Sequence, residues 1–377
     1  MKSTKPHLGL TLIELMIAIA ISAVLLAGVA TVYTSNKRAS SLNNGLSRLQ
    51  ENLRLVADFV AQDVRMAGYV GCRGTSITSA LNNPAQAEYD ITKPIRGYEG
   101  DSSTTSFPSE ITNASNPAQQ KALIGSDALL VLHGKDTDLK VTSSSSGTNV
   151  TSKNPSLVHI QKDDVVILSD CIHAGVAQVT NDTAASASII HSDNASTQGP
   201  GNCYNGMAPI SGPLPACGPI GNFYAFGARP TRVMLLSTNL YYVAKSVSGL
   251  TTSLYRLSLD KGTMSKREEL IEGVESMQVL YGEDMTGDNI ADRYVDAANV
   301  TNWDNISSVR VGFLIATPTA ARNAVDKNSY TIATNTIAAS TAVTSTTFNG
   351  GAVVHPEDKK LRLSYTTTIK LRNKGVM

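Results

Sequence analysis

The chain is short of charge, short of aromatic rings and without an excess of either sign. Of its 377 residues, 17% are charged and 5% aromatic, with one tryptophan, and 32 basic against 31 acidic residues leave a net charge of +1. A nucleic-acid surface needs a basic field for phosphates and rings for base stacking, so no nucleic-acid partner is expected. Enzyme signatures are also missing. Six histidines (His7, His133, His159, His173, His191, His355) never fall into HExxH or another close metal spacing. "HGKDTD" contains Gly-Lys without the glycine-rich loop that cradles phosphate, and no GxSxG occurs. These absences point to a structural or binding protein and away from an enzyme.

The four cysteines, Cys72, Cys171, Cys203 and Cys217, lack CxxC or any zinc-ligand spacing. An even count at irregular spacing fits disulfides and an oxidising compartment. Four cysteines allow three pairings. The favoured one closes the Gly/Pro-rich stretch between Cys203 and Cys217 and leaves Cys72 with Cys171; free buried thiols are the alternative.

What the chain does have is a long apolar run near its start, "HLGLTLIELMIAIAISAVLLAGVATVY", from His7 to Tyr33. Glu14 sits inside it. A carboxylate near the centre of a bilayer costs about 2.5 kcal/mol or more, so a retained one needs a compensating partner. Lys2 and Lys5 precede the run, as in a secretory signal, but a signal's apolar core is only about 7–15 residues long. Some 20 apolar residues span a bilayer as a helix, and the basic leader keeps that end cytoplasmic. Neither a signal peptide nor a plain anchor explains Glu14.

"GLTLIEL", Gly9 to Leu15, resembles the signal of type IV pilins and pseudopilins. The resemblance implies cleavage after Gly9 by the prepilin peptidase, methylation of the new amine on Leu10, and Glu14 at the fifth mature position. There Glu14 lies in the first helical turn, where the helix dipole favours a carboxylate. It would neutralise the terminal amine of a neighbouring subunit, two costly charges becoming tolerable as a pair. Leu8 precedes the glycine where the family usually has Lys or Arg, and Leu10 stands where Phe is usual.

Beyond the apolar run, Leu42, Leu46, Leu49, Leu53, Val56 and Val60 recur at four- and three-residue steps, one stripe on a continuing helix that breaks near Gly68 and Gly71. One face suits the chain's own domain and another suits partner subunits. After Cys72, "DALLVLHG", "DDVVILSDC", "TRVMLLS", "MQVLYG", "VRVGFLIAT" and "KLRLSYTTTIKLRN" read as strands, and "NLYYVAK" and "SLYRLSL" as a hairpin. Polar tracts at 101–120, 142–154, 180–219 and 318–351 read as insertions on the sheet scaffold. The expected organisation is a leader at 1–9, a membrane and polymerisation segment at 10–33, an amphipathic helical segment at 34–68 and a β-rich head at 69–377. The fold class is α+β and pilin-like.

The whole arrangement is similar to the PilW type of minor pilin, firmly over Gly9 to Cys72, moderately over "DDVVILSDC", "YYVAKSVSGLTTSLYRL", "GVESMQVLYGEDMTGDNIADRYV" and "LRLSYTTTIKLRN", and weakly across the loops. That resemblance implies a subunit of the complex that primes pilus assembly at or near the tip. Its partners would be other minor pilins, the major pilin and a PilY-type tip protein. It would sit in the inner membrane with its head in the periplasm, then in the surface pilus that drives twitching motility. A type II secretion pseudopilin is the alternative, although the largest tip pseudopilin usually lacks the fifth-position Glu and the J-type is usually much shorter. A pilus-borne adhesin or DNA-binding module is a third reading.

One internal stretch invites metal chemistry. In "DMTGDNIAD", oxygen ligands fall at Asp284, Thr286, Asp288 and Asp292, with the Ile290 carbonyl between, which resembles the first nine positions of a calcium loop. Asn289 stands where such loops want glycine, and Val295 where they want a bidentate Glu. A polar turn with solvated carboxylates is the other reading.

Overall fold

Thr11 opens a helix, α1 (Leu12–Met66), whose 55 residues make a rod about 80 Å long. No proline interrupts it. It ends where Gly68 takes a φ of 73°, a left-handed turn that a side chain resists, and the Gly68 N–H donates to Leu132. A computed structural model describes residues 11–72, 74–100, 106–112, 120–145, 149–152, 160–181, 188–191, 198–206, 217–218, 224–349 and 352–373.

Only the upper part of α1 is buried. Leu49, Leu53, Val56, Val60 and Val64 pack into the main core, whereas Leu42 and Leu46 are both 37% exposed. The apolar stripe therefore runs further down the helix than the head that covers it. Each buried Leu or Val contributes about 1.5–3 kcal/mol.

Among the described residues the head forms three sheets. The first comprises β1 (Ser76–Ser79), β2 (Ile95–Tyr98), β3 (Ala128–Ser145), β4 (Asn149–Ser152), β5 (Val165–Ser169), β6 (His173–Gln178), β7 (Ser188–Ile190), β8 (Thr231–Lys245), β9 (Thr252–Asp260) and β10 (Thr263–Glu272). Its centre is the antiparallel pair β3–β8. Leu129 and Val131 of β3 face the α1 core, and Leu130 and Leu132 face a second core on the other side. A strand buried on both faces reads as a continuous apolar run, which is why "ALLVL" does not alternate.

Gly273 carries the chain into the second sheet with a φ of 96°, and a Cβ there would lie 2.5 Å from the Ala316 carbonyl. That sheet begins with β11 (Val274–Glu283), β12 (Arg293–Val295) and β13 (Ile306–Ala316). A small third sheet follows, of β14 (Tyr330–Ile332), β15 (Asn335–Ser340), β16 (Thr347–Asn349) and β17 (Ala352–Pro356). The chain then returns as β18 (Arg362–Lys370), which closes the order β12-β11-β13-β18. Met277, Val279, Val309, Val311, Phe313 and Ile369 of this sheet form the bed on which α1 lies.

Two expectations need correcting. The tract 318–351, read as a polar insertion, carries β14, β15 and β16, because Ile332 and Ile337 bury themselves against Leu314 on the far face of β13. The tract 142–154 likewise begins inside β3 and contains β4.

Candidate functional site

The helix start is fixed by two residues. The Glu14 N–H donates to Thr11 Oγ1 at 3.3 Å. In return the Thr11 N–H and hydroxyl donate to Glu14 Oε2 at 3.0 and 2.9 Å. This is a reciprocal capping box, worth about 1 kcal/mol for the cap alone. Both contacts fall on one carboxylate oxygen, which leaves Oε1 with no partner among the described residues. Gly9 and Leu10, the expected processing residues, lie outside the described residues. Thr11 was not singled out from the sequence, although its T-x-x-E spacing to Glu14 ahead of an apolar run is the signal for such a box.

Above the cap, α1 is long and apolar enough to cross a membrane, and no part of its apolar window is buried against the head. Leu12, Val24 and Leu26 are each at least two-thirds exposed, at 77%, 73% and 68%. Apolar side chains displayed over many turns are stable only in lipid or against other apolar helices.

The helix meets the head through a polar tether. Asp63 of α1 accepts from Tyr241 Oη at 2.6 Å and Asn239 Nδ2 at 2.7 Å, both on β8, and lies 3.6 Å from His133 Nε2 on β3. Burial works against its charge, but the nearby His133 ring and the hydrogen bonds from Tyr241 and Asn239 hold its pKa below the usual carboxylate value. Burial, with Asp63 alongside, pushes the Tyr241 hydroxyl far above the ordinary range, so it stays a donor.

The acidic loop is closed on its own backbone. Asp284 accepts from the N–H groups of Gly287 at 2.6 Å and Asn289 at 2.9 Å. Asp292 accepts from Met285 at 2.6 Å and Thr286 at 3.2 Å, and Asp288 from Ile290 at 2.8 Å. Asn289 does adopt the left-handed conformation, with φ 63°. Among the described residues, no group of three His, Cys, Asp or Glu side chains is arranged to hold a metal ion. At Asp284, Thr286, Asp288, Ile290 and Asp292, the stretch read as a calcium loop, the three aspartates accept from N–H groups of the loop itself.

Disulfides join Cys72 to Cys171 and Cys203 to Cys217. The first pins the segment after α1 to the β5–β6 turn, closing a separation of 99 residues. Next to it lies a 420 Å³ cavity lined by Val70, Ile91, Ile95, Trp303, Asp304 and Leu371.

Two family models match the chain. Residues 240–373, from the upper half of β8 through β18, match the Type IV Pilus-assembly protein W model. Residues 5–30 match the prokaryotic N-terminal methylation motif. No curated protein and no solved structure matches.

Proposed function

The two family matches support a type IV pilus minor pilin of the PilW type with a prepilin signal, and from that premise we propose that the chain helps prime pilus assembly at or near the pilus tip. Pilin-type families are structural, and this one implies contact with other pilus components and with the prepilin peptidase. The signal and the apolar helix fit an inner-membrane-anchored pilin that later enters the pilus. In the proposed sequence the peptidase removes residues 1–9 and methylates Leu10, with the helix across the inner membrane and the head in the periplasm. Other minor pilins, the major pilin and a PilY-type tip protein then join it.

The observation that carries the reading is Glu14 at the mouth of an exposed apolar helix. Thr11 holds Oε2, so the carboxylate is oriented before a neighbour arrives. Oε1 is left to accept the ammonium of that neighbour's first residue. In hydrocarbon, a preset carboxylate and an incoming amine stabilise each other far more than either is stabilised alone. Helices that meet correctly therefore stay, and helices out of register leave a charge unpaired.

A strain lacking the protein tests the role. Loss of surface pili, partial recovery when the retraction motor is also removed, and intact type II secretion are the expected results. Normal pili with failed secretion would assign the chain to a pseudopilin. If both are normal, priming is excluded and a ligand-binding head remains. Intact-mass measurement of the membrane-extracted protein should show loss of residues 1–9 and gain of one methyl group; a retained leader in cells with active peptidase overturns the processing step.

A further inference from the structure

The second sheet ends in an unprotected edge. β18 pairs with β13 in continuous antiparallel register from Arg362↔Ala316 to Lys370↔Ser308. Just beyond its two ends, Thr317 N–H donates to Leu361 at 2.9 Å and Leu371 N–H to Ser307 at 3.0 Å. In an antiparallel ladder the hydrogen-bonded positions alternate, so Leu363, Tyr365, Thr367 and Ile369 exchange their backbone bonds with β13. Ser364, Thr366, Thr368 and Lys370 turn their N–H and C=O groups the other way, and all four are exposed. None of them has a backbone partner on that side among the described residues.

Edges of this kind are usually blunted by proline, a bulge or a central charge. From Leu363 to Ile369 this strand has no proline, no register shift and no charge, and three threonines in succession favour extended backbone. Tyr365, 41% exposed, adds an aromatic contact beside the edge.

The charges flanking the edge select what can pair with it. Lys359 and Lys360 precede β18, while Lys370, Arg372 and Arg65 of α1 surround its far end, and none of the five forms an ion pair among the described residues. Arg65, Lys370 and Arg372 line a 440 Å³ recess with Thr368 and Asn289. Two copies of β18 pairing antiparallel would set Lys359 and Lys360 against Lys370 and Arg372, and pairing parallel would set like against like. Like charges placed opposite each other across strands are destabilising.

We infer that the open edge of β18 takes up an extended segment of a different protein, with an uncharged centre and acidic residues at its ends. Main-chain bonds to Ser364, Thr366 and Thr368 supply affinity, and the basic recess sets the register. The inference holds whichever assembly the chain serves.

Residue-resolved amide exchange on the full chain in detergent micelles tests it. The probe is a synthetic peptide of alternating threonine and valine with paired glutamates at each end; the control carries paired lysines. In the chain alone, the amides of residues 363, 365, 367 and 369 exchange slowly and those of Ser364, Thr366 and Thr368 fast. The glutamate peptide should slow the fast set at least about tenfold, and the lysine peptide should not. Lys370→Glu combined with Arg372→Glu should move the preference toward the lysine peptide. Ser364→Pro removes an outward N–H and no side-chain hydrogen bond among the described residues, a change edge strands tolerate, and should abolish protection while the slow set stays slow. Fast exchange at the even positions despite the glutamate peptide, equal action of both peptides, or even positions already slow in the chain alone would each overturn the inference. If the proline variant unfolds, seen as loss of the slow set, the charge-reversal pair decides.

Discussion

From Leu12 to Tyr33, α1 shows lipid-like side chains on every face and is buried against nothing else among the described residues. Above Leu49 the same helix buries one apolar stripe, Leu49, Leu53, Val56, Val60 and Val64, in the head's core and leaves Leu55 and Phe59 outside it. The backbone is continuous and the caps are ordinary, so the difference lies in who supplies the solvent. The upper part is held by this chain. The lower part awaits lipid or other helices, and from Leu12 to Tyr33 Glu14 is the one charged group it carries into them. Stability of the head and competence to assemble are therefore separable properties of one helix.

The largest effect comes from placing the same charge in each half. Val56 is fully buried against the head, so Val56→Asp leaves an uncompensated carboxylate in the core and should cost about 3–5 kcal/mol. The head should melt early by circular dichroism and yield to protease. Val29→Asp should leave the head's melting unchanged while abolishing pilus assembly or membrane insertion. Equal head stability in the two variants would break the comparison.

Asp63→Ala tests the tether between the halves. It strips Tyr241 Oη and Asn239 Nδ2 of their 2.6 and 2.7 Å acceptor. Leaving those partly buried donors unpaired should cost about 1–3 kcal/mol. Denaturant titration should show a lower midpoint with an unchanged slope, and Asp63→Asn should recover part of the loss. A rescue no better than alanine would mean that the helix is held by its apolar stripe alone.

Acid should separate the halves without mutation. Glu283 on β11 is fully buried; burial opposes its charge, but bonds from Thr301, Arg293 and Asn302 outweigh that and depress its pKa from 4.5 to about 2. Because the folded value is the lower one, its contribution is complete above about 4.5 and lost as pH falls toward 2. The head's melting temperature should decline across that window, and Glu283→Gln should flatten the decline. Helical signal from the lower half in micelles should persist.

Legibility followed the same division. The apolar run, its carboxylate and the stripe over 42–60 were readable because each rests on local period or composition. The strand β3, buried on both faces, was readable as an apolar run, and β8 as two runs, "TRVMLLS" and "NLYYVAK", that the structure joins into one strand. β10, "TMSKREELIE", was not, because its charges are satisfied across the sheet: Arg256 of β9 pairs with Glu268 at 2.6 Å. The third sheet hid in a polar tract since two isoleucines suffice to anchor it. Nor could sequence show that Arg362, wholly buried, gathers Glu275, Asp326 and Asp358. Two of those partners lie 87 and 36 residues away. At the helix start the residues were all in view, and only the direction of Thr11's bonds was missing.

The smallest expected effect concerns the loop from Asp284 to Asp292. Its carboxylates are anchored by N–H groups of the loop itself, so the turn is complete without a cation. Calcium added to the full chain in micelles should therefore leave the head's melting temperature where it was. Asp292→Ala, which frees two N–H groups, should lower it slightly more than Asp288→Ala, which frees one. A calcium-dependent rise that vanishes in Asp288→Ala would show that the carboxylates turn outward when a cation is offered. The head would then owe part of its stability to something outside the chain, as the lower helix does.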